Sequence, residues 1–473
     1  MRGSALSLSL FALSARLAAA QTFADHTLNI VNAQISPDGF SRKASLVNGK
    51  FPGTTIIANK GDIIRNTVHW HGLFQTNYCI EDGPAFVTQC PISPGYSYQY
   101  VIPTFNQAGT HWYHSHLGSQ YVDGVRGAVV IYGASNDPTR AMSTTNPPLS
   151  NSQTGINQLQ LSQKRIKSGK EPIPDAGLIN GRGRYVGGPA VPWTVFNVEK
   201  GKRYRFRVIN TNALGYYKFE MDGHPFTIIE ADGVAHQPLT SSHLSYTPES
   251  VIPSSFMRIR RSGTTGSGHR SIPVVVEFVG LRSYAVSTDE LKDISFLIVD
   301  FSGNTLNVAQ LRPLENPGAP GGSRPADVVI DLKYGASLEQ DRVANFTRSE
   351  NTIVLPHNKV IELVLHGSAN GFEHPWHLHG HAFDVVQTDG GPVNYVNPPR
   401  KDVIAVGGGT VRIQFRSDNP GPWFLHCHVD WHLEAGLAVV FAEAPSEQRA
   451  TIQPSPGWSQ LCPRYAALPA DKQ

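Results

Sequence analysis

The sequence is poor in charge and in cysteine for its length. Asp, Glu, Lys and Arg make up 16% of its 473 residues, the formal net charge is +3, and only 4 residues are cysteine. Because nucleic-acid binding requires a basic surface, this near-neutral balance excludes nucleic acid as a partner. After residue 20 no apolar run approaches the roughly 18 residues that span a bilayer, so the sequence predicts no membrane anchor.

The chain is rich instead in residues that make turns. Its 44 Gly and 34 Pro separate short runs of strand-forming residues, and long helical periodicity is scarce. Runs of this kind cover residues 203–209, 227–230, 296–301, 361–365 and 411–415. The pattern predicts an all-β protein made of several antiparallel sandwiches in series. Breaks between them are indicated near 134–148 and 316–325, which are rich in polar residues, Gly or Pro.

Residues 1–20 resemble an export signal. Arg2 is followed by an apolar stretch over 6–13, and Ala18 to Ala20 offer small residues for cleavage before Gln21. The alternative is a buried first helix. Export predicts a secreted, extracellular protein in which cysteines pair. The sequon at Asn345 predicts a glycoprotein unless the tripeptide is unused.

The histidines are distributed in an unusual way. Of the 19, several form pairs with one residue between them, where random placement gives roughly 0.8 such pairs. The pairs are His69/His71, His114/His116, His377/His379, His379/His381 and His426/His428. Since residues i and i+2 of a strand share a face, two imidazoles of a pair can converge on one ion or on adjacent ions. The pattern therefore predicts metal ligation.

Cys427 lies between the histidines of the last pair. It must face away from His426 and His428, so one strand can serve two metal sites. His432 and His374 could complete a His₂Cys set, which is the arrangement of blue-copper electron-transfer sites. A structural disulfide at Cys427 and a zinc site are the alternatives.

Four segments resemble the copper signatures of multicopper oxidases and, in detail, of fungal laccases. They are HWHG at 69–72, WYHSH at 112–116, HPWHLHGHAF at 374–383 and WFLHCHVDWHLEAG at 423–436. The resemblance implies three cupredoxin-like domains, which are Greek-key β-sandwiches, and four copper ions. With residues 1–20 as signal peptide, the domains are expected at 21–133, 134–301 and 302–473, the second of them atypical and the third holding the type 1 site.

The same resemblance implies a role for each ligand. His374, Cys427 and His432 would hold the type 1 copper, with Leu437 at the non-ligating axial position. His69 and His377 would hold the type 2 copper. The type 3 pair would be held by His71, His114, His116, His379, His426 and His428. His381 is left over and is expected to pack or hydrogen-bond.

Further residues carry expectations from the family. Cys427 would connect the two sites through its neighbours His426 and His428, and Asp82 and Asp430 would supply protons, or else act as a turn residue and as a partner that orients a ligand. Cys90 and Cys462 match a family disulfide. Cys79 is then an odd thiol, because Val122 stands where a second bridge would have its partner.

The implied activity is that of a copper oxidoreductase of the laccase type. It would oxidise phenolic or other aromatic donors, with a place in lignin degradation, by one-electron steps and reduce dioxygen to water, as a monomer. One alternative is a metallo-oxidase that acts on Fe²⁺. The other is a copper-binding paralogue without activity, since residues 249–279 resemble no part of a laccase, a strand is missing between Ile63 and His69, and no carboxylate stands near Leu214.

Overall fold

The structure is a computed structural model that describes most of the chain. The described residues are 23–65, 68–133, 150–154, 176–184, 187–198, 203–213, 217–220, 225–241, 243–246, 251–258, 272–275, 308–314, 326–333, 351–367 and 373–470. The predicted signal peptide, the sequon, Leu214 and the expected strand at 296–301 lie outside them. These residues fall into three regions, which are the described parts of 23–133, 150–275 and 308–470.

The first region contains a four-stranded sheet of order β4-β9-β8-β6 and two smaller sheets, β1-β5-β7 and β2-β3. Its strands are β1 (Phe23–Asp25), β2 (Ile30–Ile35), β3 (Arg42–Val47), β4 (Ile56–Asn59), β5 (Ile63–Arg65), β6 (His69–His71), β7 (Ile102–Pro103), β8 (Gly109–His114) and β9 (Arg126–Tyr132). A 3₁₀ turn at Cys79–Glu81 and the short helix α1 (Gln120–Asp123) join them. Burial alternates along β4, as expected for a strand with one face on a core.

The middle region has a seven-stranded sheet of order β12-β11-β10-β14-β19-β16-β17 and the pairs β13-β20 and β15-β18. Its strands are β10 (Ser150–Thr154), β11 (Gly177–Ile179), β12 (Arg182–Gly183), β13 (Val195–Val198), β14 (Arg203–Asn210), β15 (Tyr217–Glu220), β16 (Phe226–Ala231), β17 (Val234–Ser241), β18 (His243–Tyr246), β19 (Val251–Arg258) and β20 (Ile272–Val275). β19 falls in the stretch 249–279 that resembles no laccase segment, yet it pairs with both β14 and β16.

The last region consists of two five-stranded sheets, β21-β23-β28-β25-β26 and β22-β30-β29-β24-β27. Its strands are β21 (Val328–Lys333), β22 (Thr352–Leu355), β23 (Val360–His366), β24 (His374–Leu378), β25 (Phe383–Gln387), β26 (Arg400–Lys401), β27 (Val403–Val406), β28 (Thr410–Arg416), β29 (Gly421–Cys427) and β30 (Ala438–Glu443). A 3₁₀ turn covers Val308–Gln310, and the helices are α2 (Asp430–Glu434), α3 (Pro445–Thr451), α4 (Pro456–Ser459) and α5 (Leu461–Ala466).

Four of the strand runs expected from the sequence are confirmed as β14, β16, β23 and β28. The expectation of antiparallel sheets is wrong in part, because each region also contains parallel pairs, such as β4 with β9 and β22 with β30. Parallel partners need a long connection between them. Ile56 pairs with Val129 and Thr352 with Val440, so the chain closes each sheet with strands distant in sequence.

Separate apolar cores fill the first and last regions. A further buried group joins all three regions. It contains Trp112 of the first region, Ile209 of the middle region, and Cys427 and Trp431 of the last. Cys427 therefore lies where the three regions meet.

The expected disulfide is present. Cys90 and Cys462 are bonded, with their Cα atoms 5.0 Å apart, across a sequence separation of 372 residues. It ties the first region to α5 in the C-terminal tail. Among the described residues, none of the helices has the length and the apolar character needed to cross a bilayer.

Candidate metal centre

Two pairs of strands bring the histidines together. In the first region β6 and β8 are antiparallel, with His69 opposite His114. In the last region β24 and β29 are antiparallel, with His377 opposite His426. His71 lies with His69 in β6, whereas His116, His379 and His428 come one or two residues after the ends of β8, β24 and β29.

Eight imidazoles form one buried cluster between the first and last regions. Several of their nitrogens are close: His379 Nε2 and His426 Nε2 are 3.0 Å apart, His116 Nε2 and His426 Nε2 are 3.3 Å apart, and His428 Nε2 lies 3.2 Å from His71 Nδ1. The members are His69, His71, His114, His116, His377, His379, His426 and His428, of which all but the half-buried His116 are buried.

The hydrogen bonds around the cluster orient its rings for metal binding. Five of the eight rings turn Nδ1 outward to an oxygen at 2.8 to 3.1 Å: His69 to Asp82 O, His114 to Ser115 O, His377 to Asp402 O, His379 to Asp82 Oδ2 and His426 to Cys427 O. Since an oxygen accepts there, we infer that Nδ1 carries the proton and Nε2 a lone pair. The lone pairs of His379 and His426 then face each other at 3.0 Å, which a cation between them would stabilise.

Burial also keeps these rings in the form that binds a metal. Burial lowers the pKa of His377 to about 3, with the charge of His69 acting in the same direction. Burial likewise lowers the pKa values of His71, His114, His116, His379, His426 and His428. Neutral imidazole is the ligand form, so these seven rings are ready to bind metal ions at neutral pH.

A second group of donors lies on the other face of β29. Cys427 Sγ is 3.5 Å from His374 Nδ1 and 3.5 Å from His432 Nδ1, and the two nitrogens are 3.0 Å apart. All three residues are buried. Leu437 packs beside them, against the buried group that contains Cys427. The structure thus places Cys427 with the two histidines expected for it, and its Sγ forms no disulfide.

Asp82 contacts two rings of the cluster. Its Oδ2 accepts from His379 Nδ1 at 2.8 Å, and its carbonyl oxygen accepts from His69 Nδ1 at the same distance. β6 is the edge strand of its sheet, and a Cβ on Gly83 would lie 2.7 Å from Val68 O. The loop that carries Asp82 therefore covers that edge, and Asp82 orients two imidazoles, His379 through its carboxylate and His69 through its carbonyl oxygen.

Asp430 lies at the start of α2, directly after the His426–His428 run. Together with Tyr121 and four histidines of the cluster it lines a small cavity next to those rings. Burial raises the pKa of its carboxyl well above the usual range, with Glu434 acting in the same direction. Its Oδ2 has no hydrogen-bond partner among the described residues. The carboxyl that faces the cluster therefore has a raised pKa, which favours its protonated form.

Sequence reasoning missed Asp402. Its carbonyl oxygen accepts from His377 Nδ1 at 2.9 Å, and its Oδ1 lies 3.7 Å from His71 Nε2. The only signal in the sequence is a charged triplet at 400–402 immediately before the apolar strand β27. Only the pairing of β24 with β27, which sets His377 opposite Val403, reveals the contact.

Two other residues hold no place in either donor group. His381, left over in the sequence analysis, hydrogen-bonds as expected: its Nε2 is 3.2 Å from Glu443 Oε2, and its Nδ1 is 3.1 Å from His379 O. Cys79 is a free thiol buried against Trp423 and Ile452. Burial raises the pKa of Cys79 to about 12, with Asp82 acting in the same direction, so it is unreactive.

Comparison with known proteins agrees with this geometry. Multicopper oxidase family models match residues 29–136, 151–247 and 323–447. Laccase-4 of Thanatephorus cucumeris is 41% identical to the chain, over 94% of the chain and 95% of that relative. The chain belongs to the multicopper oxidase family.

Other members of the family are similar along their whole length. Laccase-2 of Agaricus bisporus is 35% identical over 98% of each chain. The crystal structure of a laccase from Botrytis aclada has a TM-score of 0.75 at 26% identity, covering 94% of this chain and 92% of that one. Fet3p, a multicopper oxidase that functions in iron import, has a TM-score of 0.73 at 24% identity over 94% and 96%, a likeness that shows the fold alone.

These findings confirm several expectations for this multicopper oxidase. The fold is all-β and cupredoxin-like, and the protein is a copper oxidoreductase of the laccase type. Membership implies four copper ions, one of type 1, one of type 2 and two of type 3, and the His and Cys groups fit that number. The alignment with Laccase-4 spans 518 positions against 473 residues here, so the relative contains segments that this chain lacks.

Proposed function

We propose that this oxidase removes single electrons from phenolic or other aromatic donors and reduces dioxygen to water. One observation carries the proposal: Cys427 belongs to a His₂Cys donor group, while its two chain neighbours belong to the eight-histidine cluster. Dioxygen takes four electrons and a phenol readily gives one at a time. A protein that joins these reactions needs two connected metal sites, which a single strand end here supplies.

Within this proposal each donor has an assigned ion. His374, Cys427 and His432 hold the type 1 copper, with Leu437 beside it as a residue that does not ligate. His69 and His377 hold the type 2 copper. The type 3 pair takes His71, His114 and His428 for one ion and His116, His379 and His426 for the other. Convergence of the last three at Nε2 and the fixed Nδ1 protons support the assignment.

Bound copper would supply the one-electron redox chemistry of the reaction. The protein supplies position, connection and protons. Peptide bonds on either side of Cys427 join the two donor groups without an intervening solvent gap. Asp82 fixes the orientation of His69 and His379, and buried Asp430 holds a proton on its carboxyl at the cavity beside the cluster.

We propose the same division of the chain as in the sequence analysis, with a leader at 1–20 and domains at 21–133, 134–301 and 302–473. The separate sheets of the three regions support it. The disulfide between Cys90 and Cys462 supports secretion, because such bonds persist in oxidising surroundings. An extracellular, monomeric glycoprotein that acts on the phenolic units of lignin is the corresponding biological proposal.

The test is to purify the full-length secreted protein and measure its copper content, its thiolate-to-copper absorption and its oxygen uptake. We expect four copper ions per chain, a blue band, and oxygen uptake with a phenol that leaves no hydrogen peroxide. Faster oxygen uptake with Fe²⁺ than with any phenol would favour the metallo-oxidase alternative. A folded protein that keeps one copper or none would contradict the enzyme altogether.

A further inference from the structure

The middle region holds none of the donors assigned above, yet one of its turns reaches the metal cluster. The turn at 232–233 joins β16 to β17, and Asp232 lies there with a positive φ of 47°. It meets His111 of β8 in the first region and residues 401–402 of the last region. All three regions therefore contribute to one buried junction.

An ion pair closes this junction. Lys401 Nζ lies 2.6 Å from Asp232 Oδ2, and the two side chains are 3% and 0% exposed. The backbone N–H of Asp402 points to the same oxygen, at 3.4 Å. Removal of one partner from an ion pair this deeply buried is strongly destabilising, because the other charge is left buried and unpaired. The pair therefore fixes the positions of the residues around it.

His111 is held in a slot between two glycines. A Cβ on Gly233 would lie 2.2 Å from its Cε1, and one on Gly72 would lie 2.7 Å from its Nδ1 and 3.1 Å from Asp402 Oδ2. Both glycines have positive φ, at 73° and 88°. The ring therefore sets the distance between the turn at Asp232 and the segment that carries Asp402.

Asp402 transmits that position to the cluster. Its carbonyl oxygen accepts from His377 Nδ1 at 2.9 Å, and its Oδ1 is 3.7 Å from His71 Nε2. These two rings stack on each other with centroids 3.8 Å apart. A shift of residue 402 would therefore move or turn both of them.

We propose that Asp232 is a positioning residue for the copper cluster: through Lys401 and the N–H of Asp402 it fixes the rings of His377 and His71 from the middle region. The inference rests on the proposed function, since those rings are ligands only there. It gives the region that lacks donors a defined part in metal binding.

A second ion pair, between Glu230 of the same hairpin and Arg205 of β14, provides a matched control. Arg205 contacts Glu230, and Glu230 Oε1 accepts from the backbone N–H of Thr110 at 2.7 Å. This pair is also buried and also joins the middle region to the first, but it acts on Thr110 of β8 instead of on residue 402. Its loss should lower stability without changing the cluster.

The experiment compares the copper-loaded wild type with Asp232→Asn, Asp232→Asn/Lys401→Met and Glu230→Gln. Copper retention against a chelator, the electron paramagnetic resonance spectrum of the type 2 ion, and the blue band are measured for each. The single variant leaves the charge of Lys401 without its partner, and the protein can then fail to fold. The double variant removes both charges, so it remains testable in that case. We expect both Asp232 variants to bind cluster copper about 10- to 100-fold more weakly, with an altered type 2 spectrum and an unchanged blue band.

Wild-type copper retention and an unaltered type 2 spectrum in the double variant would overturn the inference, as would an equal loss of cluster copper in Glu230→Gln. Both results are read against a wild type that shows type 1 and type 2 signals. A wild type without these signals would instead contradict the proposed function, so the two failures are distinguishable.

Discussion

The two donor groups of this oxidase are assembled in different ways. The group around Cys427 comes from residues 374, 427 and 432, all within the last region. The eight-histidine cluster takes four rings from the first region, at 69, 71, 114 and 116, and four from the last. The first group is complete when one region folds, whereas the second exists only where two regions dock. The cluster should therefore be the more fragile of the two.

The largest effect should come from Cys427→Ser. This change removes the thiolate of one donor group at the residue whose chain neighbours belong to the other group. We expect complete loss of the blue absorption and of oxygen uptake, with much of the cluster copper retained, because the eight histidines are untouched. Absorption and copper content measure this directly. Cys79→Ser is the matched control, since that thiol is buried but belongs to neither donor group; if blue colour survived in Cys427→Ser, the thiolate assignment would be wrong.

Next in size should be His116→Ala, which alters the cluster alone. Three Nε2 atoms converge at His116, His379 and His426, so one loss leaves an incomplete ligand set. Loss of a residue that only hydrogen-bonds to a metal ligand lowers activity about 10- to 100-fold. Because His116 is itself an assigned ligand, we expect oxygen uptake to fall more than about 100-fold. The blue band should remain. It should bleach when a phenol is added, and it should not return on exposure to air. Normal turnover would contradict the cluster assignment.

A smaller effect should follow from removal of the disulfide in Cys90→Ser/Cys462→Ser. Closure of so long a loop stabilises by about 6 kcal/mol in the chain-entropy model. The bond ties the first region to the C-terminal tail that follows the sheets of the last region. Its loss should therefore weaken the docking of the first region on the last more than the folding of the last region. We expect cluster copper to be lost at a lower denaturant concentration than the blue band. Simultaneous loss of both signals would show that the two groups are equally stable.

The smallest effect should come from Leu437→Met, which changes the Cys427 group without removing a donor. Methionine can act as a weak axial ligand and thereby stabilise oxidised copper, so we expect a lower reduction potential with the blue band retained. Redox titration measures the change. Leu433→Met, on α2 at the cavity beside the cluster, should leave the potential unaltered. An equal shift in both variants would mean that Leu437 has no special position.

Much of the centre was predictable from sequence because strand geometry is simple. A period of two residues places His69 with His71 and turns Cys427 away from His426 and His428, whatever the rest of the fold does. The disulfide needed the family resemblance, since a separation of 372 residues has no local signature.

Other features depend on contacts that no local pattern reveals. Asp402 reaches His377 only through the pairing of β24 with β27, and Asp232 reaches Lys401 only through docking of the middle region. The parallel partners β4 and β9 were missed for a related reason. Alternating burial identifies a strand, but it does not say which distant strand lies beside it.

Register along β29 has a consequence for quality control of the protein. A slip of one residue would send Cys427 into the histidine cavity and both neighbouring imidazoles toward His374, so neither pocket could load metal. Misregistered molecules would then lack both the blue colour and the activity. They would not form a partly functional species that releases partially reduced oxygen. Absence of the blue colour would therefore mark the misregistered fraction of a copper-loaded preparation.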